Sequence, residues 1–278
     1  MIRKIHQIWY QGQENIPDTF RQYSSRWKKI NPGFEHTLWD SNSIDIFMKK
    51  QYPSVYKNFL SLPYMIQKID VFKYAVLNKQ GGFYIDMDVD CLRPLTTLPS
   101  KYHDSDFIAS EAPSFFYENL VISGELYLYN NAVLYSRPNN TILDKMIHNS
   151  FSIKCANISK MKCVFMTTGP IIFTKTVNRL KTPNTHIISS FFFEPAVDIP
   201  FLNKKQIGKH YSETTWTKDN ITFICLKYIY SYVRYAIPFI IFYLSYFYVK
   251  RCLILLILYL YVVVSVKIYI SNQINQIN

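Results

Sequence analysis

The sequence predicts an α/β fold built on an open sheet, and three observations carry that expectation. Residues 64–80 place apolar side chains at Met65, Ile66, Ile69, Phe72, Val76 and Leu77 with helical spacing, a face suited to packing on a sheet. Gly81 and Gly82 follow, and their backbone freedom lets the chain stop the helix and turn. Phe83-Tyr84-Ile85 then reads as a buried strand, being short, aromatic and β-branched. At 278 residues the chain can hold one α/β domain of roughly 220 residues and an appendage.

Asp86, Asp88 and Asp90 follow that strand at alternate positions. Three like charges so close repel one another and call for a cation. Asp86 and Asp88 fall at the strand's carboxyl end, the edge where open α/β sheets bind ligands. Hard oxygen ligands suit Mn²⁺ or Mg²⁺, and a divalent ion held by one or two carboxylates completes its shell with substrate phosphates. A diphosphate-bearing substrate is therefore expected. Asp70 and Lys73, three apart on the preceding helix, are neighbours that could project together toward the same edge; as an exposed pair they would contribute only roughly 0.3 kcal/mol.

Met161 to Phe165 and Ile187 to Phe193 read as further strands. From Tyr235 to Val249 and from Cys252 to Val266 the chain is almost wholly apolar, interrupted by Lys250-Arg251. Each run is about 15 residues; a bilayer needs about 20. Extending the second past Lys267, which can snorkel, to Ile270 gives about 19, so at least one membrane span is predicted. The first run, with Pro238 and many tyrosines, reads as a second span, a re-entrant segment or an interfacial helix. The expected organisation is a catalytic domain over 1–222, a membrane-anchoring region with one or two spans over 223–270, and a disordered polar tail over 271–278. The net charge is +12, yet the lysines are scattered and no nucleic-acid-binding signature is present, so anionic lipid headgroups are the better partner. Five cysteines show no zinc-type spacing. Cys155 and Cys163 could bridge in an oxidising lumen.

Asp70-x-x-Lys73-Tyr74, a helical remainder, then Gly81-Gly82-x-Tyr84-x-Asp86-x-Asp88 and Pro94-Leu95 resemble the core of glycosyltransferase family 32. That family of DxD sugar transferases includes initiating α-1,6-mannosyltransferases and the catalytic subunits of inositol-phosphoceramide mannosyltransferases. Lys4 to Trp9 resembles its first strand and Thr37-Leu38-Trp39-Asp40 its second. Asn131-Ala132, Thr168-Gly169-Pro170, and His210 with Thr215-Trp216 resemble later elements, in order. The resemblance implies a GT-A type, Rossmann-like nucleotide-sugar transferase fold. It also implies that Asp88 binds Mn²⁺ directly, that Asp86 contacts the donor ribose or reaches the metal through water, and that His210 is a further metal or diphosphate contact. Asp70 and Lys73 would hold hydroxyls of the transferred sugar. Trp9, Trp39, Tyr84 and Asn131 would serve substrate binding, and Trp216 would lie over the diphosphate. The family has Arg where this chain has Lys73, whose ammonium does not reproduce a bidentate fork, and Ser where it has Thr215. Asp90 lies outside the shared pattern and reads as a turn residue, while His6 reads as a strand residue with a satisfied imidazole.

The function implied is a membrane-anchored, metal-dependent, retaining glycosyltransferase that moves a hexose, with mannose from GDP-mannose favoured, to a lipid-linked or glycan acceptor. A regulatory subunit is a candidate partner, and the Golgi or another endomembrane the expected location. Positive-inside counting of Lys250 and Arg251 against Lys267 puts the catalytic domain in the cytosol, whereas the resembled enzymes work in the Golgi lumen. Two alternatives stay open: a metal-dependent phosphohydrolase, which would need more His and Asp for two ions, and a catalytically silent membrane protein that keeps the fold.

Overall fold

The computed structural model describes residues 1–114, 119, 123–153, 155, 158–194, 205–213, 236, 239, 240, 242 and 243, and the backbone of 253–277. Two compact units emerge: Met1–Ser114 with Tyr127–Ser212, and Phe115–Leu126 with Glu213–Asn278.

The first unit holds strands β1 (Lys4–Ile8), β2 (Glu35–Trp39), β3 (Gly82–Ile85), β4 (Val89–Cys91), β5 (Phe107–Glu111), β6 (Tyr129–Ser136), β7 (Thr185–Ile188) and β8 (Gly208–His210). Its helices are α1 (Asp18–Ile30), α2 (Ser41–Gln51), α3 (Pro53–Leu60), α4 (Met65–Gln80), α5 (Thr141–Asn149), α6 (Lys160–Thr167) and α7 (Pro170–Leu180). Six strands form one mixed sheet in the order β2-β1-β3-β6-β5-β7, and β4 pairs with β8 in a small second sheet. β1 runs parallel to both β2 and β3, with Ile8 opposite Trp39 and His6 opposite Tyr84. β6 runs antiparallel to β3, from Gly82 opposite Ser136 to Ile85 opposite Val133. The carboxyl ends of β1, β2 and β3 therefore share an edge with the amino end of β6.

Helix α4 is read correctly in extent, but it does more than lay one face on the sheet. Every residue from Asp70 to Asn78 is buried. The helix packs on β1, β3 and β6 on one side and against α2, α3, α5 and α6 on others. A helix covered all round carries apolar residues all round, and Val71, Phe72, Tyr74, Ala75, Val76 and Leu77 are all fully buried in the main core. Met65, assigned to the buried face by its spacing, is exposed.

Two strand expectations are corrected. Met161 to Phe165 lies inside helix α6, whose start is capped by Ser159 Oγ accepting from Lys162 N; a five-residue apolar run has no period of its own, so the cap decides. Of Ile187 to Phe193 only Ile187 and Ile188 are strand; Ser189 Oγ then accepts from Phe191 N and turns the chain into a 3₁₀ helix over Ser190–Phe192. Asp90 is no turn residue either: it sits buried in β4, paired with Arg26. Cys155 and Cys163 form a disulfide.

The second unit contains helix α8, Leu253–Ile277, which continues through the stretch that reads as a disordered tail. Each residue added to an established helix gains a hydrogen bond without a new nucleation cost. Side chains are described in this helix only for 257–268 and 271. Among the described residues no helix is long and apolar enough to cross a membrane. The run from Tyr235 to Val249 falls largely outside the described residues, as do Lys250, Arg251 and Cys252.

Candidate active site

The acidic motif sits where β3 leaves the sheet. Asp86 N donates to Ala132 O at 2.9 Å, the last bond to β6, and Val89 N donates back to Asp86 O at 3.2 Å, so the chain turns and re-enters as β4. β8 then pairs with β4, Val89 opposite His210, and Tyr211 N donates to Asp88 O at 3.0 Å. This small sheet is what carries His210 across more than 120 residues to the motif. One ligand atom each from Asp86, Asp88 and His210 lies within 4.8 Å of the others.

The electrostatics of the trio follow from half-burial. Burial pushes Asp86 up to about 6, with Lys73 pulling against the shift and Asp88 adding to it. Tyr84 donates its hydroxyl to Asp86 Oδ1 at 2.5 Å, and burial and that carboxylate raise the phenol well above its usual range. His210 Nε2 lies 3.3 Å from Asp88 Oδ1 and Nδ1 lies 2.6 Å from Glu194 Oε2. Burial disfavours charge on this imidazole, but the hydrogen bonds to Asp88 and Glu194 outweigh it and lift His210 well above its ordinary value. Two carboxylates and an imidazole nitrogen that can converge on one point fit a divalent cation that takes oxygen and nitrogen donors.

A second group lies at the same edge. α4 leads through Gly81 directly into β3, so its amino-terminal half stands over the strand's carboxyl end. Lys73 Nζ meets Asp70 Oδ1 at 2.6 Å in a pair whose side chains are 3% and 5% exposed. Asn131 Nδ2 donates to Asp70 Oδ1 at 3.3 Å and to Tyr74 OH at 2.8 Å, and Thr168 Oγ1 donates to Asp70 Oδ2 at 2.8 Å. Tyr74 OH in turn donates to Thr168 O at 2.7 Å. Lys73 also lies 5.2 Å from the centre of the Tyr84 ring, which links the two groups.

The aromatic candidates divide. Trp39 packs edge-on against Phe47 and Phe72, and its Nε1 donates to His6 Nδ1 at 3.3 Å. His6 donates Nε2–H to Gly81 O at 3.0 Å, so the imidazole is a satisfied strand residue. Trp9 packs against Phe20 in a small cluster with Ile16 and Met87, the residue between the two aspartates, and Nε1 donates to Asn15 O at 3.0 Å. Trp216 and Thr215 lie outside the described residues. Sequence reasoning missed Glu194 and Asn130, and gave Tyr74 and Thr168, both part of the quoted motifs, no role. The need of a ligand histidine for an orienting carboxylate could have prompted a search for Glu194, but no spacing marks it.

Residues 17–111 match the family model described as "Glycosyltransferase sugar-binding region containing DXD motif", which bears out the resemblance for the motifs within that stretch. A glycosyltransferase of Acanthamoeba polyphaga mimivirus, named as uncharacterized, is 34% identical over 148 residues, 53% of this chain and 54% of its own length. Inositol phosphoceramide mannosyltransferase 1 of Schizosaccharomyces pombe is 30% identical over 175 residues, 62% of this chain and 50% of its own. The initiation-specific alpha-1,6-mannosyltransferase of Saccharomyces cerevisiae is 32% identical over 105 residues, 36% of this chain and 22% of its own. The chain thus spans about half the length of the first two relatives. Among solved structures, the PaToxG glycosyltransferase aligns over 64% of this chain and 69% of its own at 17% identity and a TM-score of 0.45.

Proposed function

We propose that this chain, which carries the DXD sugar-binding region over residues 17–111, is a divalent-metal-dependent hexosyltransferase of GT-A type fold. In this reading it transfers mannose from GDP-mannose with retention to a lipid-linked or glycan acceptor. The observation that supports it most is the convergence of Asp86, Asp88 and His210 within 4.8 Å at the edge where Asp70 and Lys73 also stand. Mannose is favoured because the relatives named above include an inositol phosphoceramide mannosyltransferase and an initiation-specific alpha-1,6-mannosyltransferase.

Asp86, Asp88 and His210 would hold Mn²⁺ or Mg²⁺. An ion held there would supply positive charge to offset the negative charge of a departing diphosphate. Asp70 orients the sugar-binding groups: one oxygen takes Lys73 and Asn131 and the other takes Thr168. The ammonium of Lys73, with donors beyond the one Asp70 uses, would meet hydroxyls of the sugar. Trp9 would offer the nucleoside an aromatic wall beside Met87. Residues 223–270 would anchor the catalytic unit at an endomembrane and bring a lipid-linked acceptor within reach. The two-ion phosphohydrolase finds less support, since the described residues hold one cluster of metal-type donors and a second ion about 4 Å away would need its own.

The test is a panel of nucleotide sugars with Mn²⁺, scored for release of nucleoside diphosphate by the wild type and by the Asp86→Asn/Asp88→Asn double variant. Metal-dependent release from GDP-mannose, reduced about 10³-fold in the variant, is expected. Release that survives both the double substitution and a chelator would overturn the assignment.

A further inference from the structure

Glu194 belongs to none of the motifs that mark the site, yet three side chains anchor its carboxylate beside it. Oε2 accepts from His210 Nδ1 at 2.6 Å and from Asn130 Nδ2 at 3.1 Å, and Oε1 accepts from Ser212 Oγ. Both ends of the His210 contact are also fixed through the backbone: Glu194 N donates to Ser190 O at 2.6 Å and His210 N donates to Phe193 O at 2.8 Å. We infer that Glu194 is a positioning residue that holds the His210 ring with Nε2 turned toward Asp88 and Asp86, and so sets how tightly the trio takes a divalent cation. This role rests on the reading of that trio as a cation site.

The chemistry follows from donors and acceptors. An ionised carboxylate only accepts, so the hydrogen at the 2.6 Å contact belongs to His210 Nδ1. That assignment leaves Nε2 as the nitrogen aimed at the aspartates, 3.3 Å from Asp88 Oδ1. An imidazole turns about a broad torsion; Nδ1 is held by Glu194 and, at 3.4 Å, by Ser212 Oγ, which itself donates to Glu194, and without that pair either nitrogen could face the aspartates. A carboxylate that fixes the tautomer and the ring typically accounts for about 10- to 100-fold in metal affinity.

Consecutive residues of β6 give Glu194 a link to the rest of the site. Side chains alternate along a strand, and Asn130 reaches Glu194 while Asn131 reaches Asp70. At this point the pairing of β6 with β5 jumps from Leu134 to Asn130. The bulge frees Asn131 from that ladder and lets one strand end hold the orienting carboxylate of the cation trio and the carboxylate of the Lys73 pair.

The experiment is Mn²⁺ affinity, read by the loss of the free-ion electron paramagnetic resonance signal, for the full chain and its E194A, E194Q, H210A and E194A/H210A variants, with a thermal melt of each. E194A is expected to weaken Mn²⁺ by about 10- to 100-fold, and E194Q, whose amide oxygen can still accept from Nδ1, by less. On the H210A background E194A is expected to change nothing, because Glu194 acts through the ring. Unchanged affinity in a folded E194A protein, or the same loss with and without His210, would overturn the role. Should E194A not fold, E194Q carries the test: a several-fold loss present only when His210 is present supports the role, and equal affinity in wild type and E194Q overturns it. A wild type that takes up no Mn²⁺ would instead sink the cation-site reading itself, and Glu194's role with it.

Discussion

Asp70 and Lys73 show how much a residue's meaning depends on what the sequence omits. Their spacing was legible, and on an exposed helix it would be worth roughly 0.3 kcal/mol. The fold instead buries the pair to 5% and 3% exposure and gives Asp70 two further donors. Removing one partner of a buried pair strands the other charge, at a cost of about 3–5 kcal/mol. Lys73→Ala is therefore expected to lower the unfolding free energy by that amount in urea titrations at neutral pH, and a loss under about 1 kcal/mol would return the pair to the surface class. The sequence presents His6 as a satisfied strand residue, and its bonds to Gly81 O and from Trp39 Nε1 bear this out. Those partners, 75 and 33 residues away, were not readable. Burial, only partly offset by the Gly81 bond, lowers its pKa from 6.5 to about 4. The sign is set by which state binds the proton. Between those two values the unfolded chain takes one up and the folded chain does not, so stability is full above pH 6.5 and falls as pH drops toward 4. His6 should contribute on the order of 3 kcal/mol of acid destabilisation over that window. Denaturation midpoints of wild type and His6→Leu across it provide the check: the variant should be less stable at neutral pH yet show a flatter decline, and parallel curves would refute the assignment.

Among elements, the passage from α4 into β3 was the most legible because glycine, apolar period and strand composition all agree there. Gly82 shows why glycine is required: its φ is +98°, and a Cβ would stand 2.7 Å from Lys4 O in the neighbouring strand. Gly82→Ala combines backbone strain of roughly 1–3 kcal/mol with that collision, and should cost at least about 3 kcal/mol. Gly33→Ala, whose Cβ would meet only Arg3 Nη1 at 3.6 Å, is the control and should stay within about 0.5 kcal/mol. Equal melting temperatures for the two would remove the claim that β1 and Gly82 must approach so closely. The elements that misled were the short apolar runs. Met161–Phe165 and Ile187–Phe193 carry strand-type residues, but a capping serine, Ser159 ahead of the first and Ser189 within the second, overrules composition. β4 and β8 are three residues each and had no pattern to read. Their pairing is what brings His210 to Asp88, so the trio could be suggested by motif resemblance but its geometry could not be derived from local pattern. Asp90 reads as a turn residue for the same reason, since only the β4 pairing and Arg26 show that it is buried.

For the whole molecule, two sequence readings of the compartment oppose each other. Positive-inside counting puts the catalytic unit in the cytosol; the resemblance puts it in a lumen. The Cys155–Cys163 disulfide bears on this directly. It closes an eight-residue separation at the start of α6, and in the chain-entropy account such a loop is worth about 2.5 kcal/mol. A bond of this kind persists in an oxidising compartment and is rare where glutathione keeps thiols reduced. It also abuts the Asp70–Lys73 network: Gln67 Nε2, on α4 one turn before Asp70, lies 3.3 Å from Cys163 Sγ and 2.8 Å from Thr167 Oγ1, the neighbour of Thr168. The disulfide therefore favours the luminal side, and counting thiols tests it. Cells expressing the full chain would be lysed in denaturant with a polymer-linked maleimide, with and without prior reduction. Of the five cysteines, the Cys155→Ser/Cys163→Ser variant keeps three and should shift alike under both conditions. The wild type should match that variant before reduction and gain two adducts after it. Five adducts without reductant would mean that the pair stays reduced in the cell, and the catalytic unit would then be assigned to the cytosolic face, where positive-inside counting places it.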